Sequence, residues 1–168
     1  RAPMEMREAI EALQLTGPQV GFNGGLIYQI VDFSNVECQC MSDEFGFILV
    51  QKLRAILRKD PPYIIQCDAG KKRTGFVCLI LEMLSGTDYT NIVNDYLESY
   101  KNNNGLDFLT NPEIAKEIEV QKIQKLIYYI NGNQDFEKTN LEEIAHSFLQ
   151  RYGMLHREIQ ILQQKICQ

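Results

Sequence analysis

The stretch from Ile64 to Phe76, IIQCDAGKKRTGF, constrains the fold of this chain more than any other. An apolar run ends at Cys67, and the apolar residues after Thr74 are typical of a buried helix. We therefore predict a strand, a short loop and a helix in succession. Such a loop directs backbone N–H groups into one concavity that binds anions. Cations oppose the dipole at a helix start, so the Lys-Lys-Arg run there indicates an anionic ligand.

The loop from Cys67 to Thr74 fits the pattern C-x5-R-[ST], and the fixed positions have physical reasons. Gly70 allows a backbone conformation that residues with a Cβ resist. Arg73, predicted to lie one residue before the helix, can direct two N–H donors at two oxygens of one phosphate group. The predicted phosphate-binding residues are Asp68, Ala69, Gly70, Lys71, Lys72, Arg73 and Thr74.

Cys67 is the candidate nucleophile of this loop. A free thiol has a pKa of about 8.5, which helix N-termini and nearby cations lower to about 3.5–7.5. A thiolate that faces a bound phosphate can attack it and form a phosphocysteine intermediate. The Thr74 hydroxyl can donate toward the sulfur and ease its later departure. The alternative is a buried structural cysteine before a basic helix start, which leaves the three cations without a partner.

The segment CDAGKKRTGF resembles the active-site signature of the cysteine-dependent tyrosine and dual-specificity phosphatases, most closely the bacterial branch with a C-x-A-G-K-x-R-T-G loop. The resemblance covers about Asp32 to the C-terminus. The flanking segments that carry it are MSDEFGFILVQKLRAIL, FVCLILEMLSGTDYTNIVNDYLESYKNNNG and NLEEIAHSFLQRYGMLHREIQILQQKI. It implies a protein-tyrosine-phosphatase-like fold and metal-independent hydrolysis of phosphomonoesters. It also implies no cofactor, phosphorylated proteins as substrates, and phosphate and vanadate as active-site ligands.

Two departures from the family pattern concern the nucleophile and the sheet. Gln66 stands where members of this family usually have a histidine, which orients the loop and helps to ionise the thiol. The region upstream of Cys67 is also short and lacks a DLR-type strand segment. These departures favour a pseudophosphatase that binds phosphoproteins without turnover, whereas the intact Cys67, Arg73 and Thr74 argue against it.

The substrate class is open to a second interpretation. Lys71 and Lys72 suit a highly anionic substrate such as a phosphoinositide. Asp68, however, follows the nucleophile where similar lipid phosphatases often have lysine, and its carboxylate would repel additional phosphates. Phosphotyrosine is therefore the first prediction and a phosphoinositide the second. A rhodanese-type sulfur transferase does not need the C-x5-R-[ST] pattern.

Two aspartates are candidates for the general acid that protonates the leaving group. The family usually supplies an aspartate some distance ahead of the cysteine. Asp43 is favoured because it lies in MSDEF, a segment covered by the resemblance. The alternative is that Asp43 has only a structural role, because the helix dipole stabilises acidic residues that follow an N-cap such as Ser42. Asp32 ends a predicted strand, but it could instead be a turn aspartate bonded to the backbone of Asn35.

Composition limits the other functions. The net charge of −5 argues against a nucleic-acid binder. No apolar run reaches the roughly 18 residues of a transmembrane segment. The five cysteines are not spaced as a disulfide framework or a structural zinc site, which predicts reduced thiols and a cytoplasmic protein. Secretion stays open because the chain begins without Met.

The remaining reactive residues have weaker predicted roles. Cys38 or Cys40 could form a protective disulfide with Cys67. Cys78 is expected in the core. The other predictions are that His146 and His156 face solvent, and that Asp95 and Tyr96 could line the cleft.

These patterns predict an α/β fold with a small, mainly parallel central sheet covered by helices and a helix-rich C-terminal half. One domain of 168 residues is expected, with an N-terminal helix and turn (1–25), a catalytic core (26–109) and C-terminal helices (110–168). Predicted strands are Leu26–Phe33 and a doubly buried Tyr63–Cys67, with 34–41 a strand or a loop. Predicted helices are Met4–Leu15, one after Ser42, Thr74–Leu84, Tyr89–Tyr100, one from Thr110 to about Tyr129, one after a Thr139 capping box, and His156–Ile166.

Overall fold

The computed structural model describes residues 19–20, 27–105, 108, 110–136 and 139–167. The strands are β1 (Gln19–Val20), β2 (Ile27–Asp32) and β3 (Tyr63–Gln66). The helices are α1 (Asp43–Leu57), α2 (Lys72–Leu84), α3 (Tyr89–Asn104), α4 (Pro112–Ile118), α5 (Lys125–Ile130), α6 (Leu141–Arg151) and α7 (His156–Ile166), with a π-helical turn (Glu119–Gln124) between α4 and α5. The predicted α/β fold with a helix-rich C-terminal half is confirmed.

The sheet has the order β1-β2-β3. β2 and β3 run parallel, with Asp32 beside Gln66 at their C-terminal ends. β1 pairs antiparallel with β2, and no strand was predicted there. Because β2 and β3 are parallel, their C-terminal ends lie at the same end of the sheet, where the Cys67 loop begins. The sheet thus brings the end of β2 beside the Cys67 loop.

The core is built around α2, which contacts β3, α3 and α6. Its middle and C-terminal turns are apolar on most sides, as the sequence predicted, and six of its residues are buried. Four phenylalanines with fully buried side chains connect the residue after β2 with α1, α2 and α6 through ring contacts of 5.5–6.0 Å. They are Phe33, Phe45, Phe76 and Phe148. Aromatic packing of this kind holds the start of α2 in place.

One strand prediction that was left open is now decided, and another is corrected. The segment 34–41, left open between strand and loop, contains no strand. β3 is half-buried at every residue, so the prediction of a doubly buried strand is wrong. In the part of the chain that the structure describes, β3 ends the sheet order and pairs only with β2. Among these residues the strand therefore has one open edge, which its apolar composition did not reveal.

Within the described residues, the helix predictions are confirmed in existence and adjusted at their ends. α2 begins at Lys72, two residues earlier than predicted, and α3 continues to Asn104. The N-cap of α6 is Asn140, whose side chain accepts from the Glu142 N–H, so the predicted Thr139 capping box is wrong. The π-helical turn was not predicted, because one extra residue in a turn leaves little trace in the apolar pattern.

Some predictions fall outside these findings. The predicted helix Met4–Leu15 lies outside the described residues. The division into 1–25, 26–109 and 110–168 stays a prediction. Within the described residues, none of the helices combines the length and apolar character needed to span a membrane.

Candidate active site

The loop that carries Cys67 starts directly after β3 and ends at the first residue of α2, Lys72. Gly70 has a φ of 58°, the left-handed region that favours glycine, as the sequence predicted. Its N–H donates to the Cys67 carbonyl at 3.3 Å, which closes the loop into a tight turn. The turn brings the start of α2 back toward the thiol, so that a helix N-terminus faces the sulfur.

The Cys67 thiol is buried and surrounded by donors. Burial by itself acts to raise the pKa of Cys67. Hydrogen bonds from the Thr74 hydroxyl, at 3.1 Å, and from the backbone N–H groups of Thr74, Lys71 and Ala69 oppose that effect. Together they hold the pKa of Cys67 below its ordinary value, because donors stabilise the thiolate. The groups that lower the pKa of this thiol thus come from the Cys67 loop and the first turn of the helix that follows it.

Arg73 lies in the first turn of α2, not before the helix as predicted. Its Nη1 donates to the carbonyl oxygens of Phe33 and, at 2.7 Å, Ser34, just beyond β2. Its Nη2 donates to the Asp68 carboxylate at 3.0 Å. The Arg73 guanidinium thus bridges the residues just beyond β2 and the Cys67 loop, where its Nη2 is hydrogen-bonded to the Asp68 carboxylate.

The two lysines of the loop have different surroundings. The Lys71 ammonium lies 5.3 Å from the centroid of the Tyr100 ring on α3, a cation–π contact. Lys72 is exposed at the first position of α2. The cationic side chains of the loop thus point in different directions, because Lys71 contacts α3 and Arg73 contacts the residues just beyond β2.

Asp32 ends β2 directly beside Gln66, the residue before the nucleophile. Its Oδ1 accepts from the Ser34 N–H at 2.9 Å and from the Ser34 hydroxyl at 2.6 Å. Asp32 therefore forms a turn with Ser34, where the sequence analysis named Asn35 as the turn partner. The same Ser34 holds Arg73 through its carbonyl oxygen, so Asp32 belongs to the turn that supports the arginine.

Asp43 is exposed at the first position of α1. Its Oδ1 accepts from the Tyr152 hydroxyl at 2.8 Å. The ring of Tyr152 packs closely on α1 because Gly46 has no side chain, and a Cβ there would lie 2.5 Å from ring carbons. The contact described for Asp43 is thus with the C-terminal end of α6 and not with the loop.

The other described cysteines differ in their surroundings and in the pKa values of their thiols. All described cysteines are free. Burial raises the pKa of Cys40, which lies within electrostatic range of Arg73, Cys67 and Cys38. Burial also raises the pKa of Cys78 to about 12, which makes that half-buried thiol unreactive at neutral pH. The disulfide between Cys67 and Cys38 or Cys40 stays a hypothesis, tested by mass spectrometry of the peroxide-treated protein.

The two histidines lie on α6 and α7. His146 is half-buried and His156 exposed, and a hydrogen bond of 2.9 Å joins Nε2 of the first to Nδ1 of the second. Within the described ranges, no group of three or more His, Cys, Asp or Glu side chains is arranged to bind a metal ion.

Sequence reasoning missed two parts of the site. The carbonyl oxygens of Phe33 and Ser34 hold Arg73, but a backbone carbonyl has no residue-type signature. Glu82 and Tyr100 line a groove between α2 and α3, together with the Asp95 and Tyr96 that the sequence analysis proposed for the cleft. A signal existed for Glu82, the lone charged residue inside the apolar run TGFVCLILEML.

The fold and the site define an α/β protein in which a loop between a strand and a helix N-terminus holds a cysteine with a lowered pKa. A family model described as the tyrosine phosphatase family matches residues 36–167, and the chain belongs to that family. As a member of this family, the protein is a phosphatase that acts on phosphorylated substrates. No curated protein and no solved structure gives a significant match to the chain.

Proposed function

We propose that this phosphatase hydrolyses phosphotyrosine in proteins, without a metal ion, through a phosphocysteine intermediate. The observation that carries the proposal is the environment of Cys67, where one hydroxyl and three backbone N–H groups donate to a thiol with a lowered pKa. A structural cysteine needs no such donors. The same donors suit a bound phosphate, whose oxygens are acceptors.

In the first step, the phosphate binds to the loop N–H groups and to Arg73, which exchanges Asp68 for a phosphate oxygen. The Cys67 thiolate attacks phosphorus, so that a P–S bond forms while the P–O bond to tyrosine breaks. The tyrosine oxygen leaves with a proton from a carboxylic acid. We propose Asp32 for this role, because it lies beside the loop, and retain Asp43, which the sequence favoured, as the alternative.

In the second step, water attacks the phosphocysteine and the P–S bond breaks. The electron pair returns to sulfur, so the same donors that lower the pKa of Cys67 also stabilise the departing thiolate. The acid of the first step now acts as base and takes a proton from the water. Inorganic phosphate is released, and the enzyme returns to its starting state.

A phosphoinositide is the second candidate substrate. The positive charge of Lys71 and the exposed Lys72 supports it, whereas Asp68 is exposed at the loop rim and argues against several phosphates. A pseudophosphatase is the remaining alternative, supported by Gln66 in place of histidine. We place the enzyme in the cytoplasm, because a thiolate nucleophile has to stay reduced.

The test is hydrolysis of p-nitrophenyl phosphate, a phosphotyrosine peptide and a soluble phosphoinositide, each with and without EDTA. We expect turnover that EDTA does not change, because no step uses a metal, and a higher kcat/KM for the peptide than for the lipid. Loss of turnover in EDTA contradicts the mechanism. Phosphate binding without turnover of any substrate identifies a pseudophosphatase instead.

A second prediction concerns the hydrogen bond between Thr74 and Cys67. Thr74→Val keeps the shape of the side chain and removes the donor. We expect the pKa of Cys67 to rise in this variant, since the thiolate loses a stabilising hydrogen bond. At pH values below that pKa, a smaller fraction of the thiol is ionised and alkylation by iodoacetamide slows. The pH profile of the alkylation rate measures the change.

Thr74→Ser is the matched control, because it retains the hydroxyl, and we expect its profile to follow the unmutated protein. An identical profile for Thr74→Val would show that the backbone N–H groups alone set the pKa of Cys67.

A further inference from the structure

A groove extends from the phosphate-binding loop between α2 and α3. The loop contributes Gly70 and Lys71 to it. The residues of α2 that line it include Thr74, Cys78 and Glu82, which are four positions apart and therefore share one face of the helix. The Thr74 hydroxyl donates a hydrogen bond to the Cys67 sulfur, so this face of the helix begins at the sulfur and continues along the groove.

The wall formed by α3 is aromatic. Tyr96 and Tyr100 stack at a centroid distance of 5.8 Å, and both line the groove. Burial, with Tyr100 and Cys40 nearby, raises the pKa of Tyr96 to about 12, so its ring stays neutral. The Lys71 ammonium already rests on the Tyr100 ring, which shows that this wall accepts a cation on its π-face.

The far end of the groove is acidic. Glu82 and Asp95 face each other there and share a hydrogen bond. Burial, followed by the proximity of Asp95, raises the pKa of Glu82 to about 8, so Glu82 holds a proton near pH 7. A cation that enters can replace this proton between the two carboxyl groups. Such a site favours an ammonium or guanidinium group over a neutral one.

The two ends of the groove therefore carry opposite charge. The loop end has Lys71 and the anion-binding N–H groups, and the far end has the carboxyl pair. Glu82 lies eight positions after Thr74 in α2, a distance of about 12 Å at the helical rise per residue. An extended peptide covers about 10 Å in three residues. The groove thus matches a substrate with a phosphate at one end and a cation a few residues away.

We propose that this groove is a substrate subsite that binds a lysine or arginine side chain located within about three residues of the phosphotyrosine. The inference rests on the proposed function and adds a sequence preference to it. The carboxyl pair binds the cationic group, and Tyr96 and Tyr100 pack along its aliphatic stem. Glu82, Asp95, Tyr96 and Tyr100 are then specificity-determining residues and take no part in the chemical step.

The experiment uses phosphotyrosine peptides that differ only in one flanking residue, Arg, Gln or Glu, placed at each of the three positions on either side. The readout is the ratio of kcat/KM between peptides within each enzyme variant, because a ratio cancels changes in the chemical step. For the best position we expect the Arg peptide to exceed the Gln peptide by about tenfold, the effect of one cation held by charge-assisted hydrogen bonds to a carboxylate. The Glu peptide is expected to be slowest.

The decisive variant is Asp95→Asn, an isosteric change at an exposed position of α3. We expect it to bring the Arg and Gln peptides within about twofold, and Asp95→Lys to favour the Glu peptide. Glu98→Gln is the matched control, since Glu98 lies on the same helix, outside the groove, and pairs with Lys101. We expect the control to keep the full preference.

Several outcomes overturn the inference. Equal rates for the Arg and Gln peptides at every position contradict it, as does an equal loss of preference in Asp95→Asn and Glu98→Gln, which indicates long-range electrostatics. Failure of the proposed function is seen separately, as absence of turnover of every peptide. In that case the same peptides are compared by fluorescence anisotropy with the Cys67→Ser protein, where the Arg peptide is again expected to bind about tenfold more tightly.

Discussion

Replacement of Cys67 by serine is expected to lower the kcat for p-nitrophenyl phosphate by about 10⁴-fold or more, the scale of losing a catalytic nucleophile. A serine hydroxyl is far harder to ionise than a thiol, and the donors that hold the pKa of Cys67 low do not suffice to ionise it. The backbone N–H groups and Arg73 are unchanged. The variant should therefore still bind inorganic phosphate, measured by calorimetry.

Cys167→Ser is the control for this experiment. Cys167 is an exposed free thiol just after α7, so its loss should not change the rate. Together the two variants separate the chemistry of the loop from a general need for thiols. If Cys67→Ser retains a rate within tenfold of the unmutated enzyme, the phosphocysteine mechanism is wrong.

The identity of the general acid gives the second large effect. We expect Asp32→Asn to lower kcat for a phosphotyrosine peptide by about 10²–10⁴-fold, the usual contribution of general acid catalysis. An acid has to be protonated to act, so the rate of the unmutated enzyme falls as the pH rises through the pKa of that acid. Asparagine carries no such proton, and the basic arm of the pH profile should disappear with it.

The leaving group provides an internal check on this prediction. p-Nitrophenolate leaves readily without a proton, whereas tyrosine does not, so the loss should be much smaller for p-nitrophenyl phosphate than for the peptide. Asp43→Asn should leave both rates within about threefold, because the described contact of Asp43 is with Tyr152. A large loss in Asp43→Asn, with Asp32→Asn near normal, would assign the acid to Asp43 as the sequence favoured.

The features that could be predicted from the sequence are those set by neighbouring residues. The Cys67 loop is one, because a strand that ends in cysteine, a glycine with positive φ and the start of a helix all lie within a few positions. The helix from His156 to Ile166 is another, since its apolar period and the preceding Gly153 are local signals. Predictions on the exact N-cap of α6 failed because Thr139 and Asn140 are both good caps.

The sequence by itself determined that a cysteine, an arginine and a threonine lie together at one junction of strand, loop and helix, since these elements follow one another in immediate succession. The tertiary structure alone decided what surrounds that loop. The pairing of β2 with β3 brought Asp32 beside it, and the packing of α3 on α2 joined Glu82 to Asp95. Such contacts depend on how distant elements pack, and their backbone partners, such as the carbonyl oxygens that hold Arg73, are the same for every residue type.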